Sequence, residues 1–392
     1  MQSSGVRERK RVLFVAHSAS DHIFGGERSL LDLMGAVERD RYQLYAVLPR
    51  PSEAYASLLR RHAEDVVVFP YGWWNFRTGD DRAAIERFRQ TIRDLRIDLV
   101  YANTIMLREP LLAARVEGVK CACHIRELID RDVDLLDLIG GPVARIIADV
   151  RSSADFLICN SEATYRLFFC AGKSTLIVNG VDIEGLDIPH DISGDALSVG
   201  LLGNNARKKG VAAFFSIAEK LRTAAPNLRF RLIGPSTPYL RGLHAEYGAR
   251  SGNIELCGYA ADLAKAYAMV DIVLNLSIFG ESFGRSVAEA MAARRPAVVY
   301  NHGALAELVE DGVTGYVVPY LDTNEVAAKL LDFSRNPRDV LRMGERARER
   351  AIRCFSRQRL AESLNAWLDS VFTETENPGL SLARFPDTAE PA

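Results

Sequence analysis

Twice along this chain, short apolar runs alternate with helix-patterned stretches, and that repetition constrains the fold more than any other feature. The first series opens with Arg11–His17 (RVLFVAH) and continues through strand-like runs at Gln43–Leu48, Val66–Phe69, Asp98–Tyr101, Phe156–Cys159 and Thr175–Val178. Helical patterns lie between them at Ser29–Val37, Arg82–Leu95, Met106–Val116 and Thr164–Cys170. Nearly continuous apolar strands separated by helices predict a parallel sheet covered on both faces. At Asn179-Gly180-Val181-Asp182 the pattern breaks, and the polar stretch up to Gly194 reads as an interdomain linker. It restarts with strands at Leu197–Leu202, Leu228–Ile233, Ile254–Leu256, Ile272–Leu276 and Ala297–Tyr300. The helices of this second series are Val211–Thr223, Leu263–Met269 and Gly284–Ala293, followed by Asn324–Ser334, Arg338–Arg353 and Arg357–Phe372.

The expected class is therefore α/β, with two Rossmann-like doubly wound domains at residues 1–185 and 190–355. Facing one another, they would enclose a cleft at the carboxyl ends of two sets of strands, where ligands of such sheets bind. Residues 373–392 are polar and read as a disordered tail. The length of 392 residues suits two domains of this size, and 48% hydrophobic residues suffice for two cores. With 49 basic against 51 acidic residues the net charge is −2, which gives no electrostatic footprint for nucleic acid. The polar start MQSSGVRERK leads directly into a strand, and no apolar run reaches about 18 residues, so neither a signal peptide nor a membrane span is expected. Six cysteines form no disulfide framework. A soluble, cytoplasmic protein is the expectation.

Four places carry chemistry. Ile278-Phe-Gly-Glu281-Ser-Phe283-Gly284-Arg285-Ser286-Val287-Ala-Glu289 runs from a strand end through a glycine-containing loop into a helix. Unpaired amides at such a helix start suit a phosphate, and the two carboxylates suit vicinal hydroxyls of a sugar or ribose. Two solvated glutamates would read the same way. Gly203-Asn204-Asn-Ala-Arg207-Lys208-Lys209-Gly210 follows the first strand of the second series. Only eight of the 49 basic residues are lysines, and two of them stand side by side here, where a βα-loop would aim a cation at a phosphate. A solvated basic turn is the alternative. Gly25-Gly26-Glu27, after the opening strand, would let backbone approach an anion closely. His124, in Cys123-His124-Ile-Arg126-Glu127, could face the cleft or be structural.

Taken in order, these elements resemble the retaining nucleotide-sugar glycosyltransferases of the GT-B fold, specifically glycosyltransferase family 4. The resemblance covers about residues 10 to 372. GESFGRSVAEAMAARRPAVV is similar to the family's donor-binding Glu-x7-Glu block, and LVEDGVTGYVVP (Leu308–Pro319) to the block that follows it. Asn160-Ser161 and Asn179-Gly180-Val181-Asp182 stand where the family places its Asn-Ser and Asn-Gly-Val-Asp elements. The resemblance implies that Glu281 binds donor-sugar hydroxyls with help from the amides of Phe283 and Gly284. Amides near Arg285, Ser286 and Val287 would hold the diphosphate, Glu289 the ribose, and Lys209 would clamp phosphate. Gly25 and Gly26 match the glycine loop near diphosphate and acceptor, and His124 a residue beside the reacting sugar. Asn204 stands where the family usually has arginine, so Arg207 or Lys208 would have to supply the second cation; Ser282 replaces a usual glycine. Helix 356–372 would return to the first domain.

The implied chemistry is front-face transfer from a UDP- or GDP-linked sugar to a glycan, lipid-linked or small-molecule acceptor, without cofactor or metal, in polysaccharide or glycoconjugate biosynthesis. Asp130-Arg-Asp132-Val-Asp134 matches a metal-binding Asp-x-Asp by letters, but its neighbours pattern as a helical surface. The aromatic cluster Tyr71-Gly-Trp73-Trp74-Asn-Phe76 could stack on an acceptor, touch the inner face of a membrane, or cap the core. Competing readings are a catalytically silent nucleotide-sugar-binding relative, a sugar-nucleotide epimerase, or a glycan phosphorylase.

Overall fold

The computed structural model describes residues 8–19, 23–192, 194 and 196–373. The expected tail after Thr373 and the polar residues 1–7 lie outside the described residues. The chain divides into unit 1, Met1–Gly180 with Leu360–Ala392, and unit 2, Val181–Arg359.

Unit 1 is built on strands β1 (Lys10–Val15), β2 (Tyr42–Leu48), β3 (Asp65–Val68), β4 (Leu99–Ala102), β5 (Lys120–Ile125), β6 (Phe156–Cys159) and β7 (Ser174–Leu176). They form one parallel sheet in the order β3-β2-β1-β4-β5-β6-β7. Alternation along β1 sends Val12 and Phe14 into one core and Leu13 and Val15 into the other, all fully buried. Covering both faces is what makes these strands apolar throughout. Unit 2 repeats the plan with β8 (Leu197–Leu202), β9 (Leu228–Ile233), β10 (Ile254–Gly258), β11 (Ile272–Asn275), β12 (Ala297–Tyr300) and β13 (Gly315–Val318), in the order β10-β9-β8-β11-β12-β13. Among the described residues no helix is long and apolar enough to cross a membrane.

The closing helix, Arg357–Phe372, seats Leu360, Leu364, Trp367, Leu368 and Val371 in the core of unit 1 beside Phe14 and Tyr101. Each such side chain contributes roughly 1.5–3 kcal/mol by burial. Asn365 fixes the register: its Oδ1 accepts from the Glu38 amide at 3.0 Å and its Nδ2 donates to the Ala36 carbonyl at 2.8 Å.

Three expectations change. The stretch after Gly180 is no linker, because Val181 and Leu186 are buried and the Val181 amide donates to the Phe355 carbonyl at 2.7 Å. Arg348, far along the chain, donates to the Ile183 carbonyl at 3.2 Å, a partner that local pattern cannot reveal. Strands β5 and β13 were absent from the runs read above; KCACHI has a single β-branched residue, and GYVV is only four residues long. Finally, the helix after β1 begins at Gly25, so Gly25-Gly26-Glu27 is its first turn rather than a loop.

Candidate functional site

Strand order in unit 2 reverses between β8 and β11, the place where ligands of doubly wound sheets bind. The segment Gly203–Gly210 follows β8, and Leu276–Gly284 follows β11. Backbone joins the two, since the Ile278 amide donates to the Lys208 carbonyl at 2.9 Å. Gly210 has φ +76°, and a Cβ there would stand 1.9 Å from the Leu276 carbonyl oxygen, so only glycine permits this approach. Across the seam, Lys209 Nζ reaches Glu281 Oε1 at 2.6 Å, and Ser277 Oγ donates to the same oxygen at 2.7 Å. Burial alone would raise the Glu281 pKa; the Lys209 ammonium and hydrogen bonds from Ser277 and Asn275 outweigh it and hold the carboxyl below its ordinary value. The Lys208 and Lys209 ammonium groups lie 4.4 and 4.8 Å from the Phe279 ring centre. On the other side, the Ala304 amide donates to the Glu281 carbonyl at 2.8 Å.

The helix Arg285–Ala292 starts from Gly284, whose φ of +91° and contact with Leu305 exclude a side chain. Of the amides expected to hold a diphosphate, that of Val287 is engaged by the Gly284 carbonyl at 2.9 Å, so the leading amides are those of Arg285 and Ser286. Phe283 is buried edge-on against Phe355 and anchors the turn. Glu289 is also buried, with Oε1 accepting from Arg285 Nη2 at 3.0 Å and Oε2 from the Tyr267 hydroxyl at 3.1 Å. A carboxylate has about four lone-pair positions, so these contacts orient it and still leave room for a hydroxyl donor. Asn204 accepts from the Ala206 amide at 3.2 Å and shapes its loop, while Arg207 is exposed on the short turn Arg207–Lys209.

In unit 1 the order reverses between β1 and β4. Arg126, just past β5, spans this point: Nη1 donates to Asn103 Oδ1 at 3.3 Å and Nη2 to the Gly25 carbonyl at 3.4 Å. Ser18 Oγ donates to Glu27 Oε1 at 2.5 Å and lies 3.1 Å from His17 Nε2. Because the hydroxyl proton goes to the carboxylate, Nε2 carries the imidazole proton and donates to Oγ. The ring packs on Gly26, where a Cβ would come within 2.3 Å of His17 Cε1; the second glycine therefore makes space for an imidazole.

Burial, then the Arg126 charge, lower the His17 pKa to about 4 against an opposing pull from Glu27. An unfolded histidine titrates near 6.5, so between those values the unfolded chain binds the extra proton. The stability contributed by neutral His17 is whole above about pH 6.5 and is lost as pH falls toward 4. Melting temperature should decline through that window, and His17→Gln should make the decline shallower. An identical slope in the variant would remove His17 from this account.

His124 does not project from a loop as the sequence allowed. It lies within β5, fully buried, on the same face as Ala122, with Nδ1 3.0 Å from the Tyr101 hydroxyl. Burial and the Arg126 charge hold it neutral, and its Nε2 has no partner among the described residues. The aromatic cluster divides as well. Trp74 is buried with its indole N–H on the Ile105 carbonyl, and Tyr71 donates to the Ala16 carbonyl at 2.6 Å, whereas Trp73 is 46% exposed and donates to the His17 carbonyl at 2.9 Å. Asp132 caps the helix Val133–Ile139 and Asp130 pairs with Arg131, so the Asp-x-Asp letters serve local structure.

His17, Ser18, Asn103, Arg126, Ser277 and Tyr267 have no role assigned from the sequence. For four of them a signal existed: each follows closely on the end of β1, β4 or β5.

Two family models match in tandem, Glycosyltransferase Family 4 over residues 23–184 and Glycosyl transferases group 1 over residues 195–336. Among curated relatives, WcaL, a glycosyltransferase named for colanic acid biosynthesis in Salmonella typhimurium, is 31% identical over 174 residues, 42% of this chain and 43% of that one. A phosphatidyl-myo-inositol mannosyltransferase of Mycolicibacterium smegmatis is 31% identical over 189 residues, 45% and 47% of the two chains. The chain thus spans about half the length of the curated relatives it matches. Among solved structures, Anabaena Alr3699/HepE in complex with UDP and glucose superposes with a TM-score of 0.76 at 21% identity, over 93% of this chain and 99% of that one. That likeness gives the GT-B fold.

Proposed function

The chain belongs to the family 4, group 1 glycosyltransferases, and from that premise we propose that it transfers a sugar from a nucleotide-diphospho-sugar to an acceptor hydroxyl with retention of configuration. The observation that carries the reading is the Lys209–Glu281 pair at the β8/β11 switch point, beside the start of the helix Arg285–Ala292. In this reading Lys209 and the leading helix amides bind the diphosphate, Glu281 accepts from donor-sugar hydroxyls, and Glu289 accepts from the ribose.

The acceptor oxygen attacks the anomeric carbon as its bond to the diphosphate breaks, and the acceptor proton passes to a leaving phosphate oxygen. No enzyme carboxylate need act as nucleophile. The protein supplies positioning and stabilisation of charge growing on the diphosphate. The base is uridine or guanosine in this reading; the HepE structure, which holds UDP and glucose, favours uridine. The acceptor is a glycan, lipid-linked or small-molecule hydroxyl compound, and the setting is glycoconjugate or polysaccharide biosynthesis in the cytoplasm or at the inner membrane face.

A thermal-shift series with UDP, GDP, ADP and their sugars tests this, because a ligand specific for the native state raises the melting temperature by RT ln(1 + [L]/Kd) in free energy. UDP or GDP should raise it saturably in EDTA as in magnesium. No response to any nucleotide would end the proposal.

A further inference from the structure

Unit 1 holds a second group of hydrogen-bond donors at its own switch point. Asn103, the first residue after β4, is fully buried, and its Nδ2 has no partner among the described residues, while its Oδ1 accepts from Arg126. Buried amide donors are rarely left unmatched in native proteins, and each exception asks for an acceptor. Arg126 is itself partly exposed and extends from Asn103 to Gly25, the first residue of a helix twelve residues long that has no side-chain cap. The start of such a helix favours an anion through its unpaired amides and partial positive charge. Here the helix start adds to two independent side-chain donors. The local field agrees, for the Arg126 charge lowers the titration of both His17 and His124. The opposing charges are Glu27, one of whose oxygens is taken up by Ser18, and Glu127, whose oxygens accept from the Thr104 hydroxyl and from the Arg126 and Ile105 amides.

We propose that Asn103 Nδ2, the Arg126 guanidinium and the first turn of the helix Gly25–Ala36 form an oxyanion subsite that takes a phosphate group carried by the acceptor. Donors arriving from three elements suit a phosphate with several terminal oxygens better than a carboxylate with two. The assignment to the acceptor rests on the function proposed above, which places the donor diphosphate in unit 2.

The test uses the full chain saturated with UDP and then titrated with glycerol 3-phosphate, with glycerol and acetate as controls, reading the melting temperature. A second, saturable rise with glycerol 3-phosphate, absent with glycerol and acetate, is expected. Asn103→Asp, which sets a carboxylate in the subsite, should abolish that second rise and keep the rise due to UDP. Arg126→Gln should raise the half-saturating concentration at least tenfold, and it carries the same test should Asn103→Asp unfold the chain. Absence of a second rise, or a second rise untouched in both variants, overturns the subsite. A rise with acetate as large as with glycerol 3-phosphate overturns the phosphate class. If glycerol 3-phosphate acts only when UDP is withheld, the anion belongs to the donor and the acceptor assignment falls. Failure of UDP itself to raise the melting temperature is a separate result that sinks the reading of unit 2.

Discussion

Replacing Lys209 by alanine should lower sugar transfer by about 10²–10³-fold, the loss typical for one preorganised group aimed at developing charge. The expectation follows from where the ammonium is held. The seam at Gly210 brings its loop against the loop after β11, and the contact with Glu281 at 2.6 Å keeps Nζ at the switch point. The variant should also change the acid–base behaviour of its partner. Lys209 opposes the upward push of burial on Glu281, so without it the carboxyl pKa should climb above the ordinary value near 4.5. Residual transfer in Lys209→Ala should therefore rise with pH across the weakly acidic range where wild type is flat. Circular dichroism and melting temperature separate this from unfolding. Turnover equal to wild type would refute the phosphate role.

Glu281→Ala should cost about 10²-fold in kcat/KM, since it deletes a charged acceptor and leaves Lys209 and Ser277 without their common partner. Glu281→Gln keeps the shape and an acceptor oxygen, so it should fall between wild type and alanine. UDP affinity should change less than transfer, because the carboxylate is assigned to the sugar. The double variant Lys209→Ala, Glu281→Ala is the sharper measurement. Residues in direct contact give non-additive effects, so its loss should be well short of the product of the single losses. Strict multiplicativity would mean that the two residues act separately, and sugar transfer unchanged in Glu281→Ala would refute the hydroxyl role.

Much of unit 2 was legible in the sequence because its site is built from segments short in sequence and marked by glycines. Gly203–Gly210 and Ile278–Glu289 each follow a strand, and the structure brings their Lys209 and Glu281 together. Unit 1 was read less well, for a physical reason. His124 and Arg126 are two residues apart and share a parity, so only the end of β5, a strand not read from the sequence, decides which of them clears the sheet. The strand runs to Ile125, so His124 lies buried within the sheet and Arg126 is the residue that emerges. The Gly25-Gly26 pair was noticed for the backbone approach it allows, whereas the space that the His17 ring requires at Gly26 appears only in three dimensions. The stretch Val181–Leu186, anchored by its buried ends, was misread because its partners, Arg348 and Phe355, lie more than a hundred residues away.

The closing helix has a consequence for how the molecule is made. Unit 1 is discontinuous: Trp367, Leu364 and Leu368, all fully buried in its core, belong to the last helix of the described chain. During synthesis the first 180 residues emerge from the ribosome with that core only partly covered, by Leu30, Leu33 and Met34 among others, and the second unit can complete itself while the first still waits. Nascent unit 1 is therefore the aggregation-prone stage of biogenesis, and it becomes whole only once this helix has been translated.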